Sequence, residues 1–196
     1  MRILLIGYEG YVGSGLFRYL SNKNEVVGWG RKDNILNLTA HTLKDLQISA
    51  VINCGVIMDR VSPNFVTESP SDRVNVIGMR SLISAIKDSE IKLIHISTKD
   101  VFGNVYSKSD VEESVDVFTP HFLIDDSQPF APETIYGKTK LMAEYIAESH
   151  PLTNVIRLSS CYTDFDHHRG HWIPNIIKSL LKIVFSLFTN LAQKSL

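Results

Sequence analysis

The chain has 196 residues, 44% of them hydrophobic and 21% charged, with a formal net charge of −1. This is enough for one sizeable domain, or one domain with a small appendage, at ordinary globular composition. The near-neutral charge argues against a broad nucleic-acid-binding surface, and two cysteines, Cys54 and Cys161, make no disulfide framework, so they read as reduced thiols of a cytoplasmic protein.

The apolar start runs straight into glycine and is too short for a signal sequence. Residues 2–6 instead read as a buried parallel strand. The glycine loop Gly7-Tyr8-Glu9-Gly10-Tyr11-Val12-Gly13 follows it, then a helix over 11–20 with Val12, Leu16, Phe17 and Leu20 at helical spacing. Strands are expected at 25–29, 49–54, 91–96 and 154–158, and helices at 72–87 and 134–148. Val76, Met79, Leu82, Ile83 and Ile86 form the apolar face of the first of those helices. Strands alternating with helices predict an α/β fold with a Rossmann-type doubly wound parallel sheet. Residues 100–132 read as a long Ser-, Asp- and Pro-rich loop, of the kind that is usually functional or mobile. The apolar tail over 173–192 contains Lys178 and Lys182, and the run after Lys182 is too short to cross a bilayer, so no membrane association is expected.

The glycine loop carries the first chemistry. A chain that must turn tightly and bring backbone N–H groups against a pyrophosphate needs small residues there, and the helix N-terminus adds partial positive charge. The position between strand and helix is the context such a motif requires. A Rossmann domain often ends its second strand on an acid that binds the ribose 2′-hydroxyl. Here the strand ends Trp29-Gly30-Arg31-Lys32, with Asp33 later. Arg31 suits a 2′-phosphate, which favours NADP over NAD, while ordinary solvated loop charge remains the alternative for Arg31 and Lys32.

Tyr136-Gly137-Lys138-Thr139-Lys140 places Tyr136 and Lys140 one helical turn apart on one face. A tyrosine ordinarily titrates near ~10, and an adjacent ammonium favours its phenolate, so the pair makes a reasonable acid/base device. His95-Ile96-Ser97-Thr98 puts hydroxyls at the end of a central strand, where one can orient a substrate carbonyl or simply cap the strand.

These motifs occur together with Asn53-Cys54-Gly55-Val56, Val74-Asn75-Val76, Val101-Phe102-Gly103 and Glu144. In that order they resemble the extended short-chain dehydrogenases/reductases, over residues 1 to about 165. The nearest resemblance is to the dTDP-4-dehydrorhamnose reductase type of sugar-nucleotide enzyme. It implies an NAD(P)-binding domain over 1–165, with 166–196 the start or remnant of a substrate-binding lobe. The implied activity is NAD(P)-dependent carbonyl reduction of a nucleotide-diphosphate sugar. By the same resemblance Tyr136 donates the proton, Lys140 holds the nicotinamide ribose and Thr98 hydrogen-bonds the reacting oxygen. Gly7, Gly10, Tyr11, Val12 and Gly13 form the pyrophosphate loop. Asn37 and Leu38 lie near the adenine, Gly55 and Val56 near the adjoining ribose, and Ser97 beside the nicotinamide. Ser159 and Ser160 border the substrate pocket.

Two departures keep alternatives open. The reductases usually carry Ser-Thr-Asp-Tyr-Val-Phe, whereas this chain has Ser97-Thr98-Lys99-Asp100-Val101-Phe102, with the acid displaced by one. An epimerase or dehydratase of the same superfamily therefore stays in view. The chain also stops at Leu196, where relatives continue into the lobe. It is expected to be a truncated product or one that has lost the lobe, and a non-catalytic regulatory subunit is the rival reading. Ile183-Val184-Phe185-Ser186 resembles the start of that lobe. Ile176, Ile177, Leu180 and Leu181 on the tail helix would need cover, which self-association could supply. His167, His168 and His171 read as surface histidines, and no metal site is assigned.

Overall fold

The computed structural model describes residues 1–62, 64–103 and 128–159. The chain divides into two units, Met1–Ser159 and Ser160–Leu196, and the description below concerns the first. The expected boundary after residue 165, Ser160, Cys161, the histidines at 167, 168 and 171, and the tail helix lie outside the described residues, as do positions 104–127 of the long loop.

Five strands form one sheet: β1 (Arg2–Ile6), β2 (Glu25–Trp29), β3 (Ala50–Asn53), β4 (Lys92–Thr98) and β5 (Thr153–Leu158), in the spatial order β2-β1-β3-β4-β5. Every pairing is parallel, with Leu4 opposite Val27 on one side and Val51 on the other, and Ser97 opposite Arg157. Parallel central strands are covered on both faces, which is why they read as continuous apolar runs rather than alternating ones. All four residues of β3 are buried.

The two faces build separate cores. Ile3, Leu5, Ala50 and Ile52 face α1 (Tyr11–Ser21), meeting its Leu16, Phe17 and Leu20. Leu4, Ile6, Val51 and Leu93 face the other way, into the larger core that contains Leu43 of α2 (Ala40–Asp45), Met79 and Leu82 of α3 (Gly78–Ile86), and Ala143 of α4 (Ile135–Ala147). This is the period-two alternation of a strand expressed in packing. The chain leaves β1 toward β2 on one side and reaches β3 on the other, so the C-terminal ends of β1 and β3 flank the topological switch point, where such sheets bind ligands.

β1 and β2 have their expected bounds, and the other predicted elements are found with shifted ends. The helix expected at 72–87 opens as a wider π-helical turn, Asp72–Ile77, before becoming α3. Gly78 allows the close packing there, since a Cβ would stand 2.6 Å from Ile35 Cγ2. Sequence periodicity missed three short elements: α2 and the 3-10 turns Ile35–Asn37 and Lys99–Phe102. They are too short to show a period, and side-chain caps set them instead: Asn34 accepts from Leu36 N, Thr39 from Thr42 N, and Thr98 from Asp100 N. Residues 100–102, expected in the long loop, therefore belong to an ordered turn.

Candidate active site

The glycine loop is shaped by contacts that exclude side chains. Gly7 has φ +76°, a left-handed conformation that glycine adopts without strain, and its N–H donates to Trp29 O at 2.8 Å. A Cβ on Gly7 would stand 2.7 Å from Gly55 N, so the loop after β1 presses directly on the loop after β3. A Cβ on Gly13 would stand 2.1 Å from Gly7 O. Gly10 is the N-cap of α1, without a side-chain cap bond, and no acidic residue lies in the first turn. Tyr11 and Val12 therefore start a helix whose positive end is not neutralised by a cap carboxylate. This cradle, closed to a Cβ at Gly7 and Gly13 and facing the switch point, fits a dinucleotide pyrophosphate.

The tip of β2 differs from the expectation that no acid stands there. Asp33 turns back so that its Oδ2 accepts from Gly30 N at 2.7 Å, and Glu9 Oε2 accepts from Arg31 N at 3.3 Å. Two carboxylates thus share the strand end with the exposed Arg31. Glu9 could not be assigned from spacing, because its contact with Arg31 spans 22 residues. Asn37 ends the following 3-10 turn, and the side chain of Leu38 is committed to the core at 4% exposure. Gly55 N donates to Asn53 Oδ1, which holds the turn after β3, and Val56 stands exposed beyond it.

The end of β4 and the start of α4, which carry the residues expected to be catalytic, pack against each other. Thr134 caps α4 by accepting from Gly137 N at 3.0 Å, and a Cβ on Gly137 would stand 2.6 Å from Asp100 O, so α4 starts hard against the turn after β4. Tyr136 lies in that first turn, 8% exposed, and its N–H donates to Asp59 O at 2.8 Å. One turn on, the Lys140 ammonium donates to Ile96 O at 2.6 Å and lies 3.1 Å from His95 Nε2. Burial drives the Lys140 value down from 10.5 to about 7, against the opposing pull of Glu144. Burial and the Lys140 charge hold the His95 imidazole well below its ordinary range, so the ring is neutral. Cys54, beside them, is pushed up to about 12 by burial and stays a thiol.

The two hydroxyls of β4 point to different tasks, because neighbouring residues face opposite sides of a strand. Ser97, expected beside the nicotinamide, directs its hydroxyl to Glu144 Oε1. Glu144 is 1% exposed and also receives Arg157 of β5, at 3.1 Å from Nε and 2.8 Å from Nη2. The Arg157 guanidinium stacks 4.9 Å from the Phe130 ring centroid and 5.4 Å from that of Phe102. This buried pair fastens α4 to the sheet. Arg157 was not singled out from sequence, since only the fold pairs it with Glu144. Thr98 Oγ1 accepts from Asp100 N at 3.2 Å, which leaves its O–H oriented to donate. Asn75 completes the frame: its side chain accepts from Ile57 N and donates to Ile57 O and Thr139 Oγ1, tying the loop after β3 to α4. Ser159 lies exposed just beyond β5.

Among the described residues no cluster of metal-ligating side chains occurs, and no helix is long and apolar enough to cross a membrane. An open groove of about 500 Å³ between α2 and α3, lined by Leu43, Ile48, Ala85 and Ile91 among others, shares no residue with the site.

The family described as the RmlD substrate binding domain matches residues 1–183. The chain belongs to this family. The low-salt glycan biosynthesis protein Agl12 of Haloferax volcanii is 25% identical, and the match covers 91% of this chain and 62% of that protein. The fold matches dTDP-glucose 4,6-dehydratase of Bacillus anthracis in complex with NAD (TM-score 0.70, 20% identity, 93% of this chain and 62% of that one). It also matches dTDP-4-dehydrorhamnose reductase of the same organism in complex with NADP (0.69, 20%, 90% and 59%). A third match is UDP-glucuronic acid 4-epimerase of Bacillus cereus in complex with UDP-glucuronic acid and NAD (0.65, 22%, 80% and 56%). The chain thus spans little more than half the length of these relatives, and it shares the Rossmann architecture of extended short-chain dehydrogenases/reductases.

Proposed function

We propose that this RmlD-family chain provides the cofactor-binding and proton-transfer half of an NAD(P)-dependent reductase of a nucleotide-diphosphate sugar. The observation that supports this reading is that the glycine cradle follows β1, Thr98 ends β4, and α4, which carries Tyr136 and Lys140, starts against the turn after β4 with Lys140 bonded to Ile96 O. A nicotinamide cofactor, when bound, supplies or accepts the hydride. Thr98 donates to the substrate carbonyl oxygen, and Tyr136 transfers its phenolic proton to that oxygen as negative charge develops. Lys140, held at the base of the site by Ile96 O and His95, supplies positive charge beside the phenol and a donor for the ribose.

The carboxylates of Glu9 and Asp33 repel a 2′-phosphate, and Arg31 attracts one. The carboxylates of Glu9 and Asp33, set beside Arg31 and Lys32, favour NAD over the NADP expected from Arg31 alone, with an acid there to receive the ribose hydroxyl.

Replacing Tyr136 by Phe tests the assignment. The variant should bind NADH as the unaltered chain does and lose reduction of dTDP-4-dehydrorhamnose. Turnover at the full rate by Tyr136→Phe would overturn the proposal.

A further inference from the structure

The residue that departs from the family pattern has a partner. Where the reductases carry Ser-Thr-Asp-Tyr, this chain carries Ser97-Thr98-Lys99-Asp100. Asp100 Oδ2 accepts from Arg60 Nη2 at 3.0 Å, and its own backbone N–H donates to Thr98 Oγ1. The Arg60 guanidinium carbon lies 5.3 Å from the centroid of the Tyr136 ring, within the range of a cation–π contact. The preceding residue, Asp59, accepts the Tyr136 N–H on its carbonyl. One unbroken set of contacts therefore runs from Thr98 through Asp100 and Arg60 to Tyr136.

We infer that Arg60 is a positioning residue for proton transfer: Asp100 sets its guanidinium over the Tyr136 ring, where it stabilises the phenolate and restrains the ring. The inference rests on reading Tyr136 as the acid. Among the described residues, Arg60 from the loop after β3 lies over the ring, and the elements packed about it also carry the charges of Asp100, in the turn after β4, and of Lys140, on α4 itself. Asp59 gives its carbonyl to the Tyr136 N–H, and its carboxylate accepts from Val61 N and Ser62 N and adds a negative charge on the same loop. Of the two cations, Lys140 lies buried against Ile96 O and gives up its charge as pH rises past about 7. A guanidinium keeps its charge throughout the accessible range, so Arg60 supplies a positive charge that persists where Lys140 is neutral. Its side chain is 58% exposed, so the effect is screened and moderate rather than dominant. The same exposure lets other side chains replace it without opening a cavity.

The test is an ultraviolet titration of the phenolate, with Tyr136 isolated by subtracting the curve of Tyr136→Phe. It is run on the parent chain and on Arg60→Lys, Arg60→Met and Arg60→Glu, with folding checked by circular dichroism. The midpoint should rise by roughly half a unit or more in Arg60→Met and further in Arg60→Glu, with Arg60→Lys near the parent. That charge order would not follow from a packing role. Because three variants share one prediction, loss of any one to misfolding leaves the others to decide. An unchanged midpoint in the folded Met and Glu variants overturns the inference. The titration needs no turnover: an inactive chain with the predicted shifts would reject the reductase reading and leave the Arg60–Tyr136 coupling standing.

Discussion

The Lys140 ammonium sits 3.1 Å from Nε2 of His95 and 2.6 Å from the carbonyl oxygen of Ile96, wholly inside the protein. Neither of these neighbours carries a compensating charge, since the imidazole is neutral, and Glu144 offsets only part of the cost of burial. The lysine is therefore an energetic liability tolerated for its position, as buried functional groups often are.

A pH dependence follows with a definite sign. The folded value of Lys140, about 7, lies below its ordinary value of 10.5, so between these the unfolded chain binds the extra proton. Stability from this group rises as pH climbs through that window, and its full cost is present below it. Thermal unfolding of the parent chain compared with Lys140→Met across this window should show the difference between them shrinking as pH rises. A difference that stayed constant would place the ammonium outside the low-dielectric interior.

Cofactor choice should respond to the acids at the β2 tip. Glu9→Gln and Asp33→Asn each remove one negative charge beside Arg31. The ratio of NADH to NADPH affinity, followed by nicotinamide fluorescence, should favour NADH in the parent and fall several-fold in the double variant, about 1 kcal/mol or more of lost discrimination. A parent that prefers NADPH would instead make Arg31 the deciding residue.

The Glu144–Arg157 pair should dominate the stability of the α4 side of the site. Glu144→Ala leaves a guanidinium that is only 19% exposed without its carboxylate, and breaking such a pair costs about 3–5 kcal/mol. Glu144→Gln keeps hydrogen-bonding capacity and should lose less. Urea denaturation of both variants measures this, and equal small losses would mean that Arg157 is held by its aromatic neighbours alone.

The cradle allows no side chain at Gly13. A methyl there would meet Gly7 O at 2.1 Å, which packing cannot absorb without moving the loop. Gly13→Ala should destabilise the fold by about 1–3 kcal/mol and abolish NADH binding. Gly15, which has open space around a Cβ, gives the control, since its alanine variant should retain binding.

Much of the fold was legible in the chain because its signals are local. The apolar run of β1, the glycine spacing after it and the Tyr136–Lys140 interval each lie within a few residues, and each determines its own geometry once strand or helix forms. The short elements α2 and Ile35–Asn37 escaped because one or two turns carry no period.

The sequence by itself therefore determined the strand–helix alternation, the glycine spacing of the cradle and the placement of Tyr136 and Lys140 one turn apart on a helix. Only the tertiary structure decided what surrounds them. Asp33 folds back onto Gly30, Lys140 reaches His95 across 45 positions, Ser97 turns to Glu144 across 47, and Arg60 joins Asp100 across 40. Apart from the short Asp33 turn, these contacts depend on which strands lie side by side, and strand order is set by the packing of both sheet faces at once, which no local pattern records.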